Sequence, residues 1–218
     1  MSVLTTHAVD ALIKAQENER GPGTTVLEAG CGRFKHFAYP ETMRIAGLDI
    51  SADQLARNDY ADETFLGDVQ THEMDRQFDV VVSIFVLEHV DDPESALDNM
   101  LAWTKPGGLL VLAVPNALSV KGLVTKFTPF WFHHLAYRLI YRVEYSIFPT
   151  TMKFCIAPRA LKQRLVGHEV VHEEYGEEKL AEPFHTLYRG AMGLLRILSL
   201  GRWRPERSNY QLVIRKKA

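Results

Sequence analysis

Residues 26–34, Val26-Leu27-Glu28-Ala29-Gly30-Cys31-Gly32-Arg33-Phe34, run from an apolar strand into a glycine-rich turn. Gly30 and Gly32 allow a tight bend and let a ligand approach the backbone with no Cβ in the way. A dinucleotide-binding turn would place a third glycine at position 35, where the chain has Lys35. Asp49 closes the next apolar run, Ile45-Ala46-Gly47-Leu48-Asp49-Ile50. An acid at that strand end can accept from both hydroxyls of a ribose.

Working outward, residues 5–20 read as a helix stopped by Gly21-Pro22-Gly23, and Thr24 to Leu27 as the first strand. Ser51 is an N-cap for a helix over 52–58. The runs Val80 to Phe85 and Leu109 to Val114 are continuously apolar, the pattern of strands covered on both faces, and Pro106-Gly107-Gly108 reads as the turn that introduces the second. Strands alternating with helices predict a doubly wound, mostly parallel sheet whose ligands bind beyond the carboxyl ends of its strands. The segment 33–43 is short and contains Pro40, so no full helix is expected between the first two strands.

Composition is that of a globular chain: 218 residues, 46% hydrophobic and 24% charged. One domain over 1–218 is expected, with a cofactor-binding core at 20–116, an insert at 117–158 and a C-terminal completion of the sheet at 159–218. No basic start followed by an apolar run marks a secretory signal, which makes cytoplasmic the default location. Cys31 and Cys155 are too few for a disulfide framework and sit in no metal-ligand spacing, so no metal site is expected. Net charge is −2, unevenly spread. Residues 1–120 carry eight Lys/Arg against nineteen Asp/Glu, whereas 121–167 carry eight against Glu144 alone. An acidic first half and a basic insert imply different tasks.

The ordered series VLEAGCG, GLDIS, FLGDV, FDVVVSIFVLEHVDDPESAL and TKPGGLLVLAVPN resembles the motifs of the class I S-adenosylmethionine-dependent methyltransferases, in particular their small bacterial stand-alone branch. The likeness covers about residues 20 to 116. It implies a Rossmann-like sheet of seven strands with an antiparallel last strand, S-adenosyl-L-methionine as methyl donor and S-adenosyl-L-homocysteine as product. It further implies that Glu28 organises the loop or accepts from the cofactor's amino group. Gly30, Cys31 and Gly32 would pass beneath the methionine and ribose. Asp49 would hold the ribose hydroxyls, Ile50 would pack on the adenine, and Asp68 would accept from the adenine amine beside the Val69 backbone N–H. Ser83 would lie next to the methionine moiety. The chain departs from the family where Phe34 replaces a common glycine. Since S-adenosylmethionine has no pyrophosphate, the imperfect loop weakens a dinucleotide reading more than a methyl-donor one.

Glu88 and His89 lack a second histidine at helical spacing, and Asp91, Asp92 and Glu94 read as a solvated turn before a helix, so neither residue of the pair is assigned to catalysis. A base for an oxygen or nitrogen acceptor must come from elsewhere. In the aromatic, basic insert, a helix over 130–146 would align His134, Tyr137, Tyr141 and Tyr145. Such a helix is either a packed lid or the wall of an acceptor pocket, with His133 or His134 as base and Tyr137 beside it. Farther on, Ala157 to Val166 reads as a helix, His168 to Glu173 as the sixth strand and Asn209 to Lys216 as the seventh. The intervening FHTLYRGAMGLLRILSLGRWRP reads as a helix that covers the sheet or meets a second copy, or as a segment that lies on a membrane surface or widens the acceptor pocket.

The leading expectation is methyl transfer to a small, hydrophobic and anionic metabolite, lipid or glycan intermediate. A nucleic-acid methyltransferase using the basic insert is the second reading, disfavoured by a pI of about 6.5 and by the lack of an RNA-binding appendage. A cofactor-binding protein without methyl transfer is the third.

Overall fold

A computed structural model describes residues 6–128, 153–177, 180 and 184–217. The helix expected over 130–146, with His133, His134 and Tyr137, lies outside them. Helix α1 (Thr6–Arg20) precedes β1 (Thr25–Ala29), β2 (Arg44–Asp49), the short α2 (Ala52–Leu55) and β3 (Glu63–Leu66). Then come β4 (Phe78–Ile84), α3 (Pro93–Trp103), β5 (Thr104–Pro115) and α4 (Val120–Phe127). After a single 3₁₀ turn at Phe154–Ile156, α5 (Pro158–Arg164), β6 (Glu169–Glu177), α6 (Phe184–Leu198) and β7 (Arg207–Arg215) complete the chain.

The strands form one sheet in the order β3-β2-β1-β4-β5-β7-β6. Strands β1 to β5 pair in parallel, while β7 runs antiparallel to both β5 and β6. This is the doubly wound, seven-stranded arrangement expected from the sequence, down to the reversed last strand. Alternation along each strand divides the core between two faces. On one face, Leu27, Leu48, Val81, Leu110 and Leu112 pack with Leu97, Met100 and Trp103 of α3 and Leu161 of α5. On the other, Val26, Ile45, Val80, Val82 and Val111 pack with Val9 and Ile13 of α1.

Between β1 and β2 there is no helix, as the short, proline-containing segment implied. Its side chains nevertheless fill the layer a helix would occupy, since Phe37, Tyr39 and Met43 join α1 in the second core cluster. Three expectations need correcting. Helix α2 ends at Leu55 instead of reaching position 58, and the Asn58 side chain turns back to donate to the Gly32 carbonyl at 3.0 Å. The sixth strand runs on to Glu177, because pairing with β7 satisfies its backbone beyond Glu173. Pro106-Gly107-Gly108 does not precede the fifth strand but lies within it. Strand β5 starts at Thr104 opposite Phe78, and its register with β4 slips before Val80 meets Leu109. Gly107 takes up the irregularity at φ +73°, its amide donating to the Lys216 carbonyl.

Beside this bulge, at the amino end of the sheet, sits the carboxylate of Asp79. It accepts from the Thr25 amide (2.9 Å), the Thr25 hydroxyl (2.8 Å) and the Lys105 ammonium (2.9 Å), with the Arg20 guanidinium at 3.8 Å. Burial pushes the Asp79 carboxyl upward, but these donors outweigh it and hold it below the ordinary aspartate range. A depressed native pKa contributes stability above the unfolded value and loses it as pH falls through the native one. Asp79→Ala is therefore expected to cost about 2 kcal/mol at neutral pH. In urea titrations the gap between variant and parent should narrow as pH drops below about 4.

Candidate functional site

The carboxyl ends of β1, β2, β3 and β4 form one continuous edge. Ala29 pairs with Leu48, Asp49 with Leu66, and Glu28 with Val82, so the ends of the four strands lie in register. At this edge Gly30 and Gly32 both adopt the left-handed conformation, φ +79° and +50°. The amides of Gly30 and Cys31 both donate to the Leu48 carbonyl, at 2.7 and 3.1 Å, which closes the loop onto β2. A Cβ on Gly30 would stand 2.3 Å from Val86 Cγ2. Cys31 is buried under the loop, and a Cβ on Gly47 would meet its sulfur at 2.7 Å. Burial first, then the charges of Asp49 and Glu28, pushes the Cys31 thiol up to about 12, so it is a packing group and no nucleophile.

Asp49 ties the loop to the second strand. Its Oδ2 accepts from the Gly32 amide at 2.8 Å and its Oδ1 from the Ser51 amide at 2.9 Å. The side chain remains half-exposed, which leaves carboxylate lone pairs for an outside donor. Ile50, directly after Asp49, is 71% exposed and offers an apolar side chain at the same strand end. Asp68 is half-exposed and accepts from the Gln70 amide and side-chain amide, at 2.9 Å and from 2.8 Å. Val69 is buried, and its carbonyl receives the Asn99 side-chain amide at 3.0 Å. Ser83, one residue past the last β1–β4 pair and opposite Leu112 of β5, is buried with its Oγ lacking a partner among the described residues.

These groups fit S-adenosylmethionine. Two carboxylates at the ends of adjacent strands, with an exposed apolar side chain next to the first, match a ribose diol, an adenine face and an adenine amine. A glycine loop at the end of β1 and an unsatisfied buried hydroxyl on β4 leave the methionine end its place beside β1 and β4. Thus the structure gathers Gly30, Cys31, Gly32, Asp49, Ile50, Asp68, Val69 and Ser83 along one edge. Glu28 has a different environment. Its carboxylate is buried beneath the loop, where it accepts from the hydroxyls of Tyr39 and Tyr60 (the latter at 2.6 Å) and faces His36 Nδ1 at 3.1 Å. Of its two expected roles, this geometry favours organising the loop. Burial followed by the adjacent Glu28 charge pushes both tyrosine hydroxyls far above their usual range, keeping them as donors.

Two features of this edge carry no signal in the sequence. Phe85, directly after β4, sits at φ +56°, a conformation that costs a bulky residue energy. The kink delivers Val86 onto Gly30, with the Phe85 amide anchored to the Ala113 carbonyl at 2.8 Å. Glu88 follows in the same turn. Burial pushes its carboxyl up to about 8, with Lys121 of α4 acting in the opposite sense, so it is mostly protonated at neutral pH. In the turn that the sequence placed before a helix, Asp92 caps α3 by accepting from the Glu94 and Ser95 amides. No metal-binding cluster of His, Cys, Asp or Glu occurs among the described residues. His133, His134 and Tyr137 are outside them.

The family described as "Methyltransferase domain" matches residues 5–165. A ubiquinone biosynthesis O-methyltransferase of Klebsiella pneumoniae subsp. pneumoniae is 33% identical over 107 residues, 43% of this chain and 43% of that protein. The chain thus spans less than half the length of this curated relative. Among solved structures, a SAM-dependent methyltransferase from Archaeoglobus fulgidus superposes with a TM-score of 0.58 at 19% identity, covering 97% of this chain and 95% of that one. The N-methyltransferase NodS from Bradyrhizobium japonicum WM9, in complex with S-adenosyl-l-homocysteine, gives 0.56 at 15% identity over 97% and 87%. At these identities the superpositions speak for the fold alone. With its site edge, its strand order and a family match over most of its length, the chain belongs to the class I S-adenosylmethionine-dependent methyltransferases.

Proposed function

We propose that the protein transfers the methyl group of S-adenosylmethionine to an oxygen or nitrogen of a small, hydrophobic, anionic acceptor. The observation that carries this reading is the carboxyl edge itself, where Asp49 and Ile50 at the end of β2 and Asp68 after β3 follow the Gly30–Gly32 loop at the end of β1. When bound, the sulfonium cofactor supplies an already activated methyl group. The chain's own task is then to hold donor and acceptor in line, exclude water and take up a proton. Asp49 and Asp68 bind and orient the nucleoside end. Gly30, Cys31 and Gly32 let the methionine end lie against the backbone, and Ser83 Oγ offers it a hydrogen bond. His133 or His134 is the proposed base, with Tyr137 beside it, since imidazole titrates near neutrality. An acceptor of this class is supported by the relative named as a ubiquinone biosynthesis enzyme and by the aromatic insert after β5.

A tritium-methyl transfer screen against lipid, small-molecule and RNA fractions tests the reading. Label is expected in an extractable, organic-soluble product. Label confined to RNA, or cofactor binding with no product in any fraction, would overturn it. With the acceptor in hand, His133→Ala and His134→Ala are to be compared in turnover. One of the two should fall by at least about a hundredfold, the scale of general-base catalysis.

Cofactor binding can be measured without an acceptor, by titration calorimetry with S-adenosylhomocysteine. Asp49→Ala removes charge-assisted bonds to the ribose and is expected to weaken binding at least about tenfold. Affinity within about twofold of the parent would sink the assignment. Gly30→Ala should unfold the chain more easily by about 2 kcal/mol, from the contact with Val86 and from the positive φ. Adding Val86→Ala should restore only the part due to the contact.

A further inference from the structure

Helix α6, between the two antiparallel strands, is poorly accounted for by packing within the chain. Met192 is its one buried side chain. Leu187, Leu194 and Leu198 recur at spacings of seven and four, so they share one stripe, and they are 57–70% exposed. Ile197 is 72% exposed as well. Leu200, just beyond the helix, is 83% exposed and held at φ +52°. A leucine in the left-handed region costs conformational energy, and here it gains no burial in return.

The charge is equally one-sided. Residues 184–204 contain four arginines and no acid. Their far end is fastened to α4: the Trp203 indole donates to the Leu118 carbonyl at 2.8 Å, and the Val120 amide donates to the Pro205 carbonyl at 3.1 Å. Helix α4 extends the same surface. Leu118, Val124 and Phe127 are exposed there, and residues 116–128 hold Lys121 and Lys126 with no acid. Six cations thus accompany the exposed apolar side chains of the two segments, Arg204 among them paired with Glu206 at 3.9 Å just beyond, in a chain whose net charge is −2.

We propose that α6 and the exposed edge of α4 form a docking surface for an anionic lipid bilayer. A protein partner of ordinary composition would be met by an interface with polar pairs of both signs. Leucines beside arginines with no acid match acyl chains below anionic headgroups. Arginine stems are long enough to reach that level from the flanks of a helix lying on its leucine stripe. No helix among the described residues is long and apolar enough to cross a membrane, so the contact is one of lying on the surface. The surface adjoins Asn116 at the end of β5, next to the carboxyl edge of the sheet. The inference is independent of which acceptor is methylated, because it is read without methyl transfer.

The full chain is to be sedimented with phosphatidylcholine vesicles with and without phosphatidylglycerol. Binding is expected only to the anionic vesicles, and it should weaken as molar salt cuts the Debye length from about 10 Å to about 3 Å. Leu194→Ser combined with Leu198→Ser should reduce partitioning at least about tenfold. Arg196→Gln or Arg202→Gln should each reduce it about fivefold. Unchanged S-adenosylhomocysteine binding and melting temperature would confirm that the variants fold. Failure of the folded parent to sediment with anionic vesicles overturns the proposal, as does equal binding of the leucine variant. A solution dimer that does not bind vesicles and that the leucine substitutions split also overturns it, by giving the face to a second copy.

Discussion

The buried carboxylate of Glu28 is the constraint around which the site is arranged. A charge on a central strand, with almost no contact with water, is costly unless its lone pairs are filled. Tyr39, Tyr60 and His36 fill them, and each comes from a segment with no regular structure of its own. The carboxylate therefore does for the coil between β1 and β2, and for the coil before β3, what a backbone ladder does for a strand. That explains how a chain with no first crossover helix still presents a fixed glycine loop. Tyr60 extends the same anchorage, its hydroxyl lying 3.4 Å from the Cys31 carbonyl, while Asn58 holds the Gly32 carbonyl from the same short segment. Removing either tyrosine would leave a buried anion short of a donor directly under the Gly30–Gly32 loop.

The parts of this architecture that are legible in the sequence are those whose cause is local. Continuous apolar runs such as Val80-Val81-Val82 can only be strands covered on both faces, and Ser51 after a strand caps whatever helix follows. Asp49 is legible for the same reason, since an acid that ends an apolar strand beside a glycine loop has few structural explanations. The tyrosine clamp is not legible, because Tyr39 and Tyr60 lie eleven and thirty-two residues from Glu28 in segments without periodicity. Nor is the bulge in β5. Pro-Gly-Gly reads as a turn on its own, and only pairing with β4 on one side and Lys216 on the other draws it into the sheet. Phe85 is the plainest case, for nothing in its neighbours warns that an aromatic residue will take a positive φ. Helix α4 was hidden inside a stretch read as one insert, although Ser119, which accepts from the Gly122 amide at 2.9 Å, was there as a cap.

The two ends of the sheet divide the labour. At the amino end, Asp79 gathers Thr25, Lys105 and Arg20 into a closed, satisfied network that ties β1, β4, β5 and α1 together. At the carboxyl end the polar groups are left with capacity to spare: Asp49 and Asp68 are half-exposed, and Ser83 Oγ has no partner among the described residues. Unsatisfied groups are tolerated where a ligand will satisfy them, and the strained Phe85 belongs to the same end. The closed Asp79 network and the open polar groups of the proposed site thus sit at opposite ends of one sheet, with Glu28 fastening the irregular loop from below.

Methyl transfer asks little of the protein beyond alignment, because the sulfonium carries its own activation. The donor side is then a small set of strand ends, all of them within the residues 5–165 that the family match covers. Selection on the acceptor side acts on whatever lies over those ends. In this chain the segments outside the donor strands include the insert after β5 and α6, and α6 lies beyond the matched residues. Both are aromatic or apolar, and both are rich in Lys and Arg and nearly free of acids, whereas the donor side is acidic. An acidic corner suits a cationic cofactor. Basic, apolar segments outside the donor strands suit the anionic, poorly soluble acceptor proposed above, a kind of molecule that gathers at membrane surfaces.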